Sequence, residues 1–476
     1  MSQSSHRPAL ALALVLCALK GVAAAWVTPA FQTPDEYGHY DYVLYLSHIE
    51  WGEFLRGHVA RPQAYHDITT DELWAVTQAS GTESHLRGQG LRRPLPTLGM
   101  QVASARAFVP TDSHDSLARK TIVPAQFNYP MLYYGGVALV VKAVRMTTPN
   151  PVIAYYTART VSLALLLLTV YFTWATARVV FAEHGGGVPL ATLFVALQPQ
   201  LTLLGISVQS DTLTVLLVTM CSACAVRYVR APSVDKAVLL GLLTAALFLT
   251  KLHAAVVMLG ALVALVILTE RARPRTALAR VLVVGGLALA VGGWWYLRTL
   301  VLYGSPTGVV VGEFHTALFG SRRANLHMWL SMFPLTYTSF WGNWGWLEVP
   351  LPSWALWGLS IASVLSGLSA CRPAVVRAIL RSSTVAGAVY WGLLAAGYAL
   401  VMMLVAVVVG PVHNNQGRHW LPIVILPALA LGLSSLGAQH GKGKLMERIT
   451  VAGWTILLLA ANLLLIMQTR AFYPTS

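Results

Sequence analysis

Long apolar runs recur along the chain, separated by short polar links. The first covers residues 9–19. After a polar stretch of roughly a hundred residues, ten more follow. They lie near 151–177, 187–206, 211–227, 236–250, 253–269, 280–302, 351–369, 383–409, 419–438 and 447–467. A helix of about 20 apolar residues crosses some 30 Å of hydrocarbon. The pattern therefore predicts an all-α polytopic membrane helix bundle of about 11 spans. It divides into a first span (1–29), a long polar loop with juxtamembrane helices (30–150), a core module (151–302), a second loop (303–350) and a C-terminal module (351–476).

One segment, YPMLYYGGVALVVKAVR at 129–145, decides the side of every later link. It is apolar for about thirteen residues, short for a span, and it closes on Lys142 and Arg145. If it does not cross, fourteen basic residues after residue 177 share one side: Arg178, Arg227, Arg230, Lys236, Arg271, Arg273, Arg275, Arg280, Arg372, Arg377, Arg381, Lys442, Lys444 and Arg448. The other side holds six, namely Lys251, Arg298, Arg322, Arg323, Arg418 and Arg470. Basic links face the cytoplasm, so 129–145 is expected to lie in the outer leaflet or re-enter, and the C-terminus to lie outside.

Charge agrees with this layout. Residues 30–128 carry 11 of the 18 acidic residues and 8 of the 33 basic ones, a net −3, which leaves +18 elsewhere. Charged residues make up 11% of the chain, against about 25% in soluble domains. The excess of +15 sits in short clusters between spans, which argues against nucleic acid as a partner. At the N-terminus Arg7 precedes the first run, and Ala23-Ala24-Ala25 has the look of a cleavage site. An uncleaved span with Lys20 near its outer end is the preferred reading; either way, the polar stretch after it is exported. Cys221 and Cys224 form a C-x-x-C inside a hydrophobic helix with no second ligand pair nearby. They read as small apolar residues.

The unusual polar residues gather on the outer side: Asp35 and Glu36 after the first span, Gln209 to Asp211 in one link, Lys251 and His253 in another, then Arg298 and Arg418 at span ends. Ionisable groups at this depth are costly and mark function. Thr33 and Glu36 have capping-box spacing, with Pro34 at the first helical position. The cap leaves Asp35 and His39 unused, four apart on one helical face. A carboxylate there can take a proton from a hydroxyl. A phosphate leaving group needs no acid, only cations where its charge develops, and Lys251, Arg298 and Arg418 are placed to supply them. Trp294 and Trp295 read as an interfacial belt.

This layout resembles the GT-C superfamily of integral-membrane glycosyltransferases. Within it the chain is most similar to a bacterial family of membrane proteins of unassigned function. The pieces that carry the resemblance are P-D-E-x-x-H at Pro34 to His39, N-Y-P-x-L-Y-Y at Asn128 to Tyr134, S-x-x-S-D at Ser207 to Asp211 and L-T-K at Leu249 to Lys251. To these add G-W-W-Y-L-R at Gly293 to Arg298, S-F-W-G-N-W-G-W at Ser339 to Trp346, and Q-G-R-H at Gln416 to His419. Gln209 stands where such proteins often have Asn, and His419 where they often have Tyr.

The resemblance implies a fold of the GT-C type in the inner membrane, with an extracytoplasmic active site. It implies transfer of a sugar from a polyprenyl-phosphate donor to a glycan, lipid or protein acceptor amid membrane lipids. Asp35, with Glu36 beside it, would be catalytic, and Lys251, Arg298 and Arg418 would hold the phosphate. His39, Gln209, Asp211, Trp341 and Trp344 would meet substrate. No cofactor is implied with certainty; a divalent metal stays open. A transporter or flippase would show paired halves or helices broken at Gly and Pro, and the sequence shows no internal repeat. A non-catalytic protein of envelope assembly is the other alternative.

Overall fold

The computed structural model describes residues 6–49, 51–52, 63–82, 96, 98–105, 129–181, 186–306, 321–373, 385–408, 416–435 and 442–473. Asn128, Arg377 and Arg381 lie outside these residues, as do parts of the first polar loop.

The first span is α1 (Arg7–Val27). It leads into α2 (Glu36–His48), α3 (Gln63–Ser80), α4 (Leu98–Ala105) and α5 (Leu132–Arg145). Then come α6 (Pro151–Val180), a bent pair α7 (Gly187–Leu197) and α8 (Pro199–Gly205), α9 (Asp211–Arg230), α10 (Val234–Phe248) and α11 (Leu252–Thr269). The next element, α12 (Pro274–Leu302), contains a wide π-type turn at Ala288–Gly293. Two short helices, α13 (Arg322–Ser331) and α14 (Phe333–Gly342), precede a small antiparallel hairpin of β1 (Asn343–Trp344) and β2 (Val349–Pro350). The chain ends with α15 (Ser353–Ala370), α16 (Val385–Val408), a 3-10 turn at Gly417–Ile423 bent onto α17 (Ile425–Ser434), and α18 (Lys442–Phe472).

Eight of these helices are long and apolar enough to cross a membrane, and ten if each bent pair counts as one span. The protein is an all-α polytopic membrane protein. Its outward faces are apolar, as lipid requires: on α15, Trp354, Trp357, Ile361, Val364, Leu365 and Leu368 are all exposed. Backbone groups within the helices satisfy one another, so only side chains meet lipid.

The bends follow from sequence. Pro199 and Pro422 lack an N–H and clash with the preceding turn, and the pairs bend by 55° and 67°. The first break is repaired by side chains. Lys20 of α1, expected near the end of its span, is instead buried, and its Nζ donates to Thr202 Oγ1 at 2.6 Å and to the Gln198 carbonyl at 3.3 Å. Asn462 of α18 donates to the Leu197 carbonyl at 2.7 Å.

Side-chain contacts define two ends of the bundle. At one end the α1–α2 link meets the last helix, where the Tyr473 hydroxyl donates to Gln32 Oε1 at 3.2 Å. Trp346 Nε1 donates to the Phe31 carbonyl there at 3.0 Å. At the other end Tyr228 donates to Glu270 at 3.2 Å, and Ser369 to the Ser434 carbonyl at 3.1 Å. α5 packs against α2 and α6. Its Leu132 N–H donates to the Leu249 carbonyl at 3.0 Å, and Tyr133, Tyr134, Val137, Ala138 and Val141 are buried in one cluster with α2 and α6. Trp295 is fully buried in that cluster rather than set in an interfacial belt.

Candidate functional site

Two neighbouring constellations form where the α1–α2 link meets the link between α8 and α9. The inner one is structural. Glu36 is fully buried and accepts from Arg159 twice, at 2.9 Å (Nε) and 2.7 Å (Nη2). It also accepts from the Val208 N–H at 3.0 Å and the Thr33 hydroxyl at 2.9 Å. Arg159, itself buried, donates further to the carbonyls of Thr28 and Pro29, both at 2.9 Å, and lies over the Tyr155 ring. A buried ion pair survives only when its remaining donors and acceptors are satisfied in this way.

That clamp replaces the expected capping box. The helix starts at Glu36, not at Pro34, and Asp35 is its N-cap, without a side-chain capping bond. The Thr33 hydroxyl donates to the Glu36 carboxylate; Glu36 turns to Arg159 instead of reaching back to the Thr33 N–H. The chain turns sharply to allow this. Phe31 and Asp35 both hold left-handed backbone, at φ 60° and 65°, a conformation Asp tolerates better than most residues.

The outer constellation pairs two carboxylates with two cations. Arg418 is buried and donates through Nη2 to Asp35 Oδ2, and through Nη1 to the Pro34 carbonyl at 2.9 Å and to Gln209 Oε1 at 3.1 Å. Lys251 donates to Asp211 Oδ1. His419 lies within electrostatic reach of Arg418, Lys251, Asp211 and His253. His39 is bonded through Nδ1 to the Tyr134 hydroxyl at 2.7 Å, and Tyr134 donates on to Ser210 at 3.3 Å. Asp35 is the open member: its side chain is 45% exposed, against 7% for Arg418, 22% for Lys251 and 6% for Asp211.

Charge states follow from these neighbours. Burial works against ionisation of Asp35, but the Arg418 guanidinium outweighs it and holds the carboxyl below its usual range. Burial lowers His39 to about 4, against the opposing pull of Asp35, so its ring is neutral at neutral pH. Asp35 is thus a carboxylate at neutral pH, open to a ligand.

Local sequence explains why Arg418 arrives here. Gly417 lies against α14: its N–H donates to Ser339 Oγ at 2.7 Å, and a Cβ on it would run into the backbone of Phe340 and Thr336. On the facing side, Gln209 is oriented by the Tyr133 hydroxyl, which accepts its N–H at 2.9 Å.

The structure therefore brings together Asp35, His39, Gln209, Asp211, Lys251 and Arg418. Arg298 lies with its guanidinium over the Trp295 ring at 5.1 Å. Trp341 and Trp344 are core residues, 4% and 0% exposed, and offer a ligand no surface. Trp341 packs beside Phe194 and Trp454, and Trp344 donates to the Pro199 carbonyl at 3.3 Å. Both carboxylates are engaged by basic side chains, and among the described residues no three His, Cys, Asp or Glu side chains gather to hold a metal. Among the described residues the donor set does not fit a divalent ion. Sequence reasoning missed Arg159, although a lone arginine in the apolar stretch of α6 is the signal that intramembrane charge gives.

A comparison with curated proteins finds no match. A family model does match, over residues 18–426, and this interval contains every residue of both constellations. The chain belongs to that family, described as predicted membrane protein (DUF2142).

Proposed function

We propose that this protein is a membrane glycosyltransferase of the GT-C type, moving a sugar from a polyprenyl-phosphate carrier to a hydroxyl acceptor. The observation that carries the reading is the half-exposed Asp35 carboxylate, fixed by a strained turn directly after the first span, beside the buried Arg418 and the partly buried Lys251. Asp35 takes the acceptor hydroxyl proton as the oxygen attacks the anomeric carbon. The carbon–oxygen bond to phosphate breaks, and the carrier leaves as an anion that needs no proton. Gln209 and His39 border the reacting groups, and Asp211 keeps Lys251 in place.

The reading includes eleven crossings. α10 has fifteen residues, yet the Lys251–Asp211 pair supports a return across the membrane, because α9 leaves from Asp211 and α10 delivers Lys251 back to it. With both bent pairs counted, the chain crosses an odd number of times, in keeping with the Tyr473–Gln32 contact between the ends of the first and last helices. The end rich in arginine faces the cytoplasm of an inner membrane, and the Asp35 end faces outward.

The bent pairs favour a second reading, transport of a lipid-linked glycan, because broken helices are also how transporters build sites. Reconstitution with a labelled polyprenyl-phosphate sugar separates the two. Transfer to acceptor, lost in Asp35→Asn at unchanged protein abundance, is the expected result. Movement of intact donor between leaflets without transfer, or full transfer by Asp35→Asn, would overturn the glycosyltransferase reading.

A further inference from the structure

We infer that Asp35 occupies, in the resting protein, the place on Arg418 that an anionic phosphate takes during the cycle, so that ligand binding itself releases the carboxylate. The inference rests on the glycosyltransferase reading of this site. Its starting point is a charge balance: each cation of the outer constellation is already matched by one carboxylate, Arg418 by Asp35 and Lys251 by Asp211. In that state the constellation offers an anion no formal excess of positive charge. A phosphate gains a partner only if one pair opens.

The structure distinguishes the pair that opens. Asp211 is 6% exposed and Asp35 is 45% exposed, so Asp35 alone can move into water at little desolvation cost. As an N-cap without a side-chain capping bond, its carboxylate is not tied to the backbone of α2. Arg418 stays where it is when Asp35 leaves, because the Pro34 carbonyl and Gln209 Oε1 hold Nη1 independently. Its Nε is buried and finds no hydrogen-bond partner among the described residues, a donor left over on a residue that is 6% exposed. Guanidinium presents donors in a fork that suits the oxygens of a phosphate. The exchange is one of ion pairs only: phosphate replaces carboxylate on Nη2, and Asp35, freed of its cation, becomes a stronger base beside the ligand it has admitted.

A self-occupied site binds its ligand more weakly than an open one, by the fraction of time it is open. Removing the carboxylate should therefore tighten phosphate binding while abolishing turnover. The test uses the full chain in detergent, with farnesyl phosphate and inorganic phosphate as probes and binding measured without any sugar donor. Asp35→Asn and Asp35→Gly both tolerate the left-handed backbone, and two variants guard against one that fails to fold. Both should bind farnesyl phosphate about tenfold more tightly than the unaltered chain, and the gain should vanish when Arg418→Ala is added. A matching gain for inorganic phosphate means that the phosphate group alone is recognised. A gain confined to farnesyl phosphate means that recognition includes the lipid. Unchanged or weaker binding in both variants would show a permanent structural pair and overturn the exchange. Tighter binding in the variants, with no sugar transfer by the unaltered chain, would leave the exchange standing and remove the transferase reading. Transfer without the gain would do the reverse.

Discussion

At the scale of single residues, adjacent acids have opposite duties. Capping-box spacing suggests that Glu36→Gln is mild, since Gln also completes the box. The structure reverses that expectation. Glu36 is the counter-charge of a buried arginine, and an amide there leaves Arg159 without its anion. Removing one partner of such a pair costs on the order of 3–5 kcal/mol. Glu36→Gln should therefore lower membrane abundance and thermal stability sharply, with Arg159→Gln equally damaging. Asp35→Asn should leave both near normal. Size-exclusion profiles and melting curves in detergent check this, and a stable Glu36→Gln protein would mean that the clamp contributes little. On the proposed reading the two variants should divide the motif, one failing by unfolding and the other by inactivity.

At the scale of elements, the site depends on two links meeting at close range. The 3-10 turn that carries Arg418 touches α14 through Gly417, where no Cβ fits against the Phe340 and Thr336 backbone. Gly417→Ala must push the turn away from α14 and carry Arg418 with it. Overpacking of this kind costs about 1–3 kcal/mol, and a shift of the guanidinium would cost activity beyond the loss of stability. Gly453→Ala is the control, because nothing lies within 4 Å of the added carbon, and alanine favours helix over glycine. The expected outcome is an unstable, inactive Gly417→Ala and a Gly453→Ala at or above normal stability, both read from melting temperature and transfer rate. A normal Gly417→Ala would show that the Q-G-R-H segment tolerates a wider spacing. The break between α7 and α8 belongs to the same scale: Lys20, Thr202 and Asn462 satisfy one another and the carbonyls that Pro199 and the bend expose.

At the scale of the whole molecule, the two ends of the bundle differ in charge. The end distant from Asp35 gathers Arg178, Arg227, Arg230, Arg271, Arg273 and Arg275 at or beside helix ends. α5, fourteen residues long, spans about 21 Å, which falls short of the hydrocarbon core. Cysteines placed at Arg275 and Arg322 should label from opposite sides of sealed vesicles, Arg275 from the cytoplasmic side. Labelling of Arg275 from outside would mean that α5 crosses, and would move Asp211, Lys251 and Arg418 to the opposite face from Asp35. That outcome conflicts with the Asp35–Arg418 pair.

The sequence by itself determined what depends on one residue at a time. Transfer of a side chain from water to lipid is nearly additive along a helix, so apolar runs reported the helices, and basic links reported two unlike ends. The polar residues after α1 and at Gln209, Asp211, Lys251 and Arg418 stood out because charge at that depth is expensive. Tertiary structure alone decided the partners. Glu36 and Arg159 are 123 positions apart, and Asp35 and Arg418 are 383 apart; no local periodicity links them. It decided that Arg298 stacks on Trp295 while Lys251 and Arg418 meet carboxylates. It also decided that Trp341 and Trp344 are core rather than ligand surface, since an aromatic residue in a polar-looking motif carries the same hydropathy in either place. Satisfying a buried polar group is a matter of distance and direction between two groups, and only the folded chain fixes both.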